Sequence, residues 1–110
     1  RRRRKGNDWL ILNSVDGNSI GQIEISTHHF KGNYPSYCSL QATYLPSKSS
    51  KQIVNSSNKW KYLLKNTKLS ANKTHKFKNS LMKKDKINHI RINIFPDGGI
   101  SRFRIFGKKI

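Results

Sequence analysis

The last third of the chain carries the pattern that decides the fold: HIRINIFPDGG at residues 89–99, followed by ISRFRIFG at residues 100–107. In the first segment three isoleucines alternate with polar residues, as in a strand with one buried face. In the second segment a phenylalanine and an isoleucine alternate with arginines. The Pro-Asp-Gly-Gly sequence between the two apolar runs has the residue types of a tight turn. The stretch therefore predicts a β-hairpin with one apolar and one polar face.

The same alternation recurs towards the N-terminus, at residues 9–12, 20–26 and 38–44. Several short strands separated by polar turns predict an all-β protein, an antiparallel jelly-roll β-sandwich. Strand parity predicts that the core includes Trp9, Ile23, Ile25, Leu40, Ile90, Ile92, Phe103 and Ile105. Cys38 shares the parity of Leu40, and we predict a buried structural residue there rather than a nucleophile.

The middle of the chain differs in composition, since 12 of the 16 lysines fall between Lys48 and Lys86. Within this region the segment 47–58 (SKSSKQIVNSSN) has little periodicity and many turn-forming residues. We expect a solvated loop or insertion there, mobile and dispensable for stability.

The length and the charge of the chain limit the classes of protein to which it can belong. The chain has 110 residues and 23 Lys+Arg against 5 Asp+Glu, a formal net charge of +18. That length predicts a single domain over residues 1–110. No apolar run reaches the roughly 20 residues that cross a bilayer, and a single cysteine cannot form an internal disulfide. We expect a protein of the cytoplasm, with no membrane association.

Four segments identify a family: RRRRKGNDW (residues 1–9), HFKGNYP (29–35), CSL (38–40) and HIRINIFPDGG (89–99). The residues of these segments and their order along the chain closely resemble those of the allantoicase family. Together the segments span nearly the whole chain. Where the family commonly has Gly-His-Asp-Trp, this chain has Asn7 in place of the histidine, and Ser26 stands where an aspartate is common.

The resemblance implies two related jelly-roll repeats of galactose-binding-like architecture, and this chain is most similar to the second, C-terminal repeat. We therefore expect a piece of a longer two-repeat chain, with a second repeat or further copies of the subunit as partners. The implied activity is hydrolysis of allantoate to ureidoglycolate and urea in purine (allantoin) degradation.

The chemistry of that reaction selects candidate catalytic residues. A general acid is needed where urea departs, and His29, Lys31 and Asn33 lie within five residues, with Gly32 allowing close approach of a ligand. These three residues are the predicted catalytic cluster. For His29 the alternative is a hydrogen bond to a loop carbonyl, and for Lys31 a solvated charge.

The substrate carboxylate calls for a cationic partner. Arg91, Asn93 and Arg102 on the polar face of the predicted hairpin, with Asp97 at its tip, are the predicted substrate-binding residues. The alternatives are cross-strand pairing for the two arginines and turn chemistry for Asp97.

We predict no bound metal and no cofactor. The four histidines lack the i, i+4 spacing and the neighbouring carboxylates that are typical of zinc hydrolases. Two other functions stay open at this point. One is a non-catalytic jelly-roll module that binds a small polar or anionic ligand. The other is nucleic-acid binding, which the net charge favours but which the absence of any recognition motif makes the weakest of the three.

Overall fold

The computed structural model describes residues 7–45, 49–78, 80–82 and 86–109. Its elements are β1 (Asp8–Ser26), β2 (Tyr37–Thr43), α1 (Ser50–Ser56), a 3₁₀ turn (Ser57–Lys59), β3 (Lys61–Lys68), β4 (Thr74–Phe77), β5 (Ile87–Phe95) and β6 (Arg102–Lys109). Among these residues no helix is both long and apolar enough to cross a membrane.

One long strand, β1, belongs to both layers of the molecule. Residues 8–13 pair with β5, as does Asn18 after a bulge, whereas residues 18–26 pair with β6 and residues 23–26 also pair with β4. The six strands form one hydrogen-bonded network in the order β3-β2-β5-β1-β4, with β6 also paired to β1. Because β1 takes part in both layers, we describe β3-β2-β5-β1 as the first sheet and β6-β1-β4 as the second. Every pairing is antiparallel. The two sheets enclose one apolar core, which confirms the predicted antiparallel β-sandwich.

The core is built where inward-facing residues of the two sheets meet. Ile23 and Ile25 of the second sheet are fully buried, as is Leu40 of the first, and Ile90 and Ile92 are nearly so. Further core residues come from β3, β4 and the segments beside them: Leu63, Leu64, Leu69 and Phe77. Cys38 is also fully buried, as predicted, and desolvation raises its pKa to about 12. A thiol so rarely ionised cannot serve as a nucleophile.

Two residues of the predicted core are not buried. Trp9 is 44% exposed, because its register partner is Asn93 and it therefore lies on the outer face of the first sheet. Ile105 is 39% exposed although it pairs with buried Ile23. Its strand, β6, is the last of the second sheet, and the sandwich is open along that side. Phe103 is partly buried and packs against the core.

The predicted hairpin is wrong, although both of its strands exist. β5 and β6 do not pair with each other, since β5 pairs mainly with the first part of β1 and β6 pairs with the last part. The Pro-Asp-Gly-Gly sequence therefore lies in a connection, residues 96–101, that passes from one sheet to the other. β1 is 19 residues long, long enough to offer both strands a partner, which local periodicity cannot reveal.

The predicted loop at 47–58 is mostly helical. Ser49 caps α1 through a capping box: its hydroxyl accepts from the Gln52 backbone N–H at 3.2 Å, and the Gln52 side chain accepts from the Ser49 N–H at 3.0 Å. This Ser-x-x-Gln pattern is a helix-start signal in the sequence. The lack of an apolar stripe masks the signal, because α1 buries none of its residues. Residues 47 and 48 lie outside the described residues.

Candidate active site

The outer face of the first sheet carries a connected set of polar side chains. Asn93 of β5 is 4% exposed and lies at its centre. Its side-chain amide donates to Gln41 Oε1 at 3.0 Å and to Ser39 Oγ at 3.2 Å. Its Oδ1 accepts from Arg91 Nε at 2.9 Å. Asn93 therefore uses both of its amide hydrogens inside the protein and orients Arg91 through its oxygen.

Arg91 supplies the positive charge of this set. Its Nη1 donates to Ser57 Oγ at 2.8 Å, and its guanidinium carbon lies 4.4 Å from the centroid of the Trp9 ring. Partial burial lowers the pKa of Arg91, an effect that Tyr62 opposes, but an arginine stays charged at any physiological pH. An amide, a hydroxyl and an aromatic ring are all neutral partners, so they orient the positive charge without cancelling it.

The 3₁₀ turn that holds Arg91 is itself tied to the sheet. Gln41 Nε2 donates to the carbonyl oxygens of Asn58 at 3.0 Å and Trp60 at 2.9 Å. The Ser57 hydroxyl donates to the carbonyl of Val54 at 2.8 Å, and Ser57 is fully buried. The segment that the sequence predicted to be dispensable therefore helps to fix the orientation of Arg91. We call Arg91 with the side chains that hold it, Trp9, Ser39, Gln41, Ser57 and Asn93, the Arg91 patch.

At one end of the sandwich the HFKGNYP segment and the Pro-Asp-Gly-Gly segment pack together. The Gly99 N–H donates to the Asn33 carbonyl at 2.7 Å. Gly98 has φ +129°, and a Cβ there would lie 2.6 Å from the backbone of Tyr34 and Pro35. Only glycine satisfies both conditions, which explains why the connection needs it. A small cleft beside this contact is lined by Asp8, Asn33, Asp97, Gly98 and Gly99.

His29 follows the end of β1 and has a left-handed backbone conformation, with φ 73°. Its backbone N–H donates to Asn72 Oδ1 at 2.9 Å, and its side chain is exposed. With Arg102 and His28 it lines a polar cleft on the outer face of the second sheet. Glu24, at the same cleft, lies 3.9 Å from Arg104.

The structure thus divides the predicted site residues into three groups. Arg91 and Asn93 form the first group, Asn33 and Asp97 the second, and His29 and Arg102 the third. Lys31 is exposed on the loop between His29 and Asn33. The first and third groups lie on the outer faces of different sheets, on opposite sides of the sandwich.

Sequence reasoning missed Ser39, Gln41 and Ser57. The parity of β2 contained the signal for the first two, since they alternate with buried Cys38 and Leu40 on the face that Arg91 shares. No sequence pattern indicated Ser57, because its contact with Arg91 depends on where the 3₁₀ turn after α1 lies against the sheet. Asn7, which replaces the histidine common in the resembled family, donates to Asn93 Oδ1 at 3.4 Å. Across the described ranges no three His, Cys, Asp or Glu side chains gather as a metal site would require.

Comparison with known proteins assigns the chain to a family. A family model described as "Allantoicase repeat" matches residues 1–110. The chain is 44% identical over 110 residues to a probable allantoicase of Stutzerimonas stutzeri and 46% identical over 108 residues to one of Acinetobacter baumannii. The two matches cover 100% and 98% of this chain but only 33% and 32% of the relatives, so the chain spans about a third of their length.

Solved structures agree with the sequence comparison. A structure of allantoicase superposes with a TM-score of 0.77 at 25% identity, covering 98% of this chain and 30% of that one. The crystal structure of allantoicase from Saccharomyces cerevisiae also gives 0.77, at 26% identity, covering 97% of this chain and 30% of that one. The fold and the sequence motifs thus lead to the same assignment: the chain belongs to the allantoicase family.

Proposed function

We propose that the protein containing this chain hydrolyses allantoate to ureidoglycolate and urea, with this chain as one repeat of the enzyme, the C-terminal one. The family assignment supports the reaction. The observation that carries the proposal within the structure is Arg91, a cation held in place by neutral groups on a face that also exposes Trp9.

The proposed role of Arg91 is to bind the substrate carboxylate. Arginine has five N–H donors, and the contacts to Asn93 and Ser57 use two of them. The remaining donors suit a two-pronged contact with a carboxylate. Asn93 donates both of its amide hydrogens to Gln41 and Ser39. The proposed role of Asn93 is therefore to orient Arg91 rather than to contact the substrate directly.

Urea release needs a proton at the departing nitrogen, while the oxygen of water becomes bonded to the central carbon of allantoate. His29 is the proposed general acid, with Lys31 and Asn33 on the same loop. Within a single copy of this repeat His29 and Arg91 cannot reach the same small molecule, since they lie on opposite sides of the sandwich. Both roles can therefore be filled for one allantoate only at a site that another repeat or subunit completes.

The reaction is tested on the intact protein, with allantoate as substrate and urea and ureidoglycolate measured together. We expect the two products in equal amounts, with a rate proportional to enzyme concentration. If folded protein binds allantoate in calorimetry but releases no urea, the chain is a binding module and the proposed activity is wrong. If it neither binds nor hydrolyses allantoate, the assigned substrate is wrong as well.

A further inference from the structure

An apolar groove runs along the open side of the sandwich, where the first sheet ends at β1 and the second ends at β6. The inner-face residues Leu10, Leu12, Ile92 and Ile94 line it on the first sheet, and Ile100 and Phe103 line it opposite. The groove continues past Leu12 to Ile105. Leu10 is 58% exposed and Ile105 is 39% exposed. We call this surface the open-side groove.

The exposed residues of the groove have the parity of core residues. Leu10 pairs with Ile92, which is 7% exposed, and Ile105 pairs with Ile23, which is fully buried. Both side chains thus point between the sheets and still reach solvent, because no described strand continues either sheet on this side. Strand edges with unpaired backbone groups beside a large apolar surface are typical of interaction sites.

The charge distribution separates this surface from the rest of the molecule. The chain has 16 lysines, yet none of those in the described ranges lines the groove, whose charged lining residues are Asp8 and Arg102. Depletion of charged residues, lysine above all, is characteristic of the centre of protein interfaces. A polyanion would find little to bind here, whereas an apolar protein surface would.

We propose that the open-side groove is a domain interface, covered in the intact protein by another domain of the same polypeptide. The relatives extend over about three times the length matched by this chain, so they contain ample chain to cover it. A second copy of this chain is the less suitable occupant, because two bodies with a formal charge of +18 each repel one another at close approach. The proposal does not depend on the catalytic assignment.

The test compares two cysteine reporters, Leu10→Cys in the groove and Val54→Cys on α1, each introduced alone into the intact protein. Val54 is the matched control, since it is an aliphatic residue 44% exposed on a different part of the surface. Native protein is treated with a maleimide, and labelling at each position is followed by peptide mass spectrometry. The native Cys38 contributes little background because it is buried.

We expect labelling of the Leu10→Cys variant to be slower than labelling of the Val54→Cys variant by about tenfold or more, independently of protein concentration, and to become equal on unfolding. Equal rates in the native protein would overturn the proposal. Protection of position 10 that disappears on dilution would also overturn it, because it would identify a second molecule as the occupant. A melting temperature for each variant close to that of the wild type establishes that both reporters describe the folded protein.

Discussion

His29 combines an exposed side chain with an unusual backbone. Its φ of 73° lies in the left-handed region, where asparagine is tolerated far better than most residues. Replacement by alanine would therefore mix loss of the imidazole with backbone strain. Replacement by asparagine removes the imidazole alone, which makes it the cleaner test of a catalytic role.

We expect His29→Asn to lower kcat for allantoate hydrolysis by on the order of 100-fold, with little change in melting temperature, if the imidazole transfers a proton. The neighbouring His28→Asn is the control, since His28 is also exposed and its ring lies 6.4 Å from that of His29. Steady-state kinetics of both variants in the intact protein decide the matter. An unchanged kcat in His29→Asn removes this residue from the mechanism.

His89 makes stability depend on pH. Burial lowers its pKa from the ordinary 6.5, so the folded state takes up a proton less readily than the unfolded state. Its contribution is present above pH 6.5 and is lost as pH falls through that value towards the lower folded-state pKa. The free energy of unfolding should therefore fall between about pH 7.5 and about pH 5, and less steeply in His89→Gln. Chemical denaturation of the wild type and of His89→Gln at both pH values measures the free energy of unfolding of each protein. An equal decrease of this free energy in the two proteins would contradict the assignment.

The Pro-Asp-Gly-Gly connection contains turn-forming residues that are evident in the sequence, but its structural role was not predictable from them. Its glycines suit a tight turn, and the structure uses them to bring the connection against the HFKGNYP loop. Likewise the strand periodicity of β5 and β6 was predictable from alternation, whereas their partner was not. Pairing is decided by the length and bend of β1, which no window of local sequence contains.

Gly98→Ala should disrupt this contact, because the new Cβ would meet the backbone of Tyr34 and Pro35 at a φ that alanine avoids. We expect a loss of about 2 to 4 kcal/mol in the free energy of unfolding. Gly32→Ala is the matched control on the facing loop, where a Cβ would meet nothing within 4 Å. Thermal or chemical denaturation of both variants checks the prediction. Equal stability of the two would show that the loops do not meet as described.

At the scale of the whole molecule, the fold class and family were accessible from sequence, but the assembly of the site was not. The residues of HFKGNYP and HIRINIFPDGG were identified as a set, yet the sandwich distributes them over two outer faces and one end. A strand displays its side chains alternately on two faces, so neighbours in sequence can be separated by the full thickness of the sandwich.

The net charge of +18 is likewise a property of the whole molecule. The lysines of α1, β3 and β4 are exposed and belong to three separate elements. We expect only weak, sequence-independent binding of the intact protein to duplex or single-stranded DNA, decreasing steeply with salt. Fluorescence polarisation over a salt series measures it. A submicromolar dissociation constant at about 150 mM salt would instead indicate a genuine nucleic-acid partner.

The central claim is that the Arg91 patch binds the carboxylate of allantoate, and the KM of the intact protein carrying Arg91→Ala tests it most directly. Loss of a charged two-pronged contact should raise KM by roughly tenfold to a hundredfold, with a smaller effect on kcat. Arg91→Lys should restore only part of the affinity, because lysine keeps the charge without the planar fork. Lys65→Ala, which removes an exposed cation on β3 that lines neither polar cleft, is the control and should leave KM unchanged. A folded Arg91→Ala protein with wild-type KM and kcat would contradict the account.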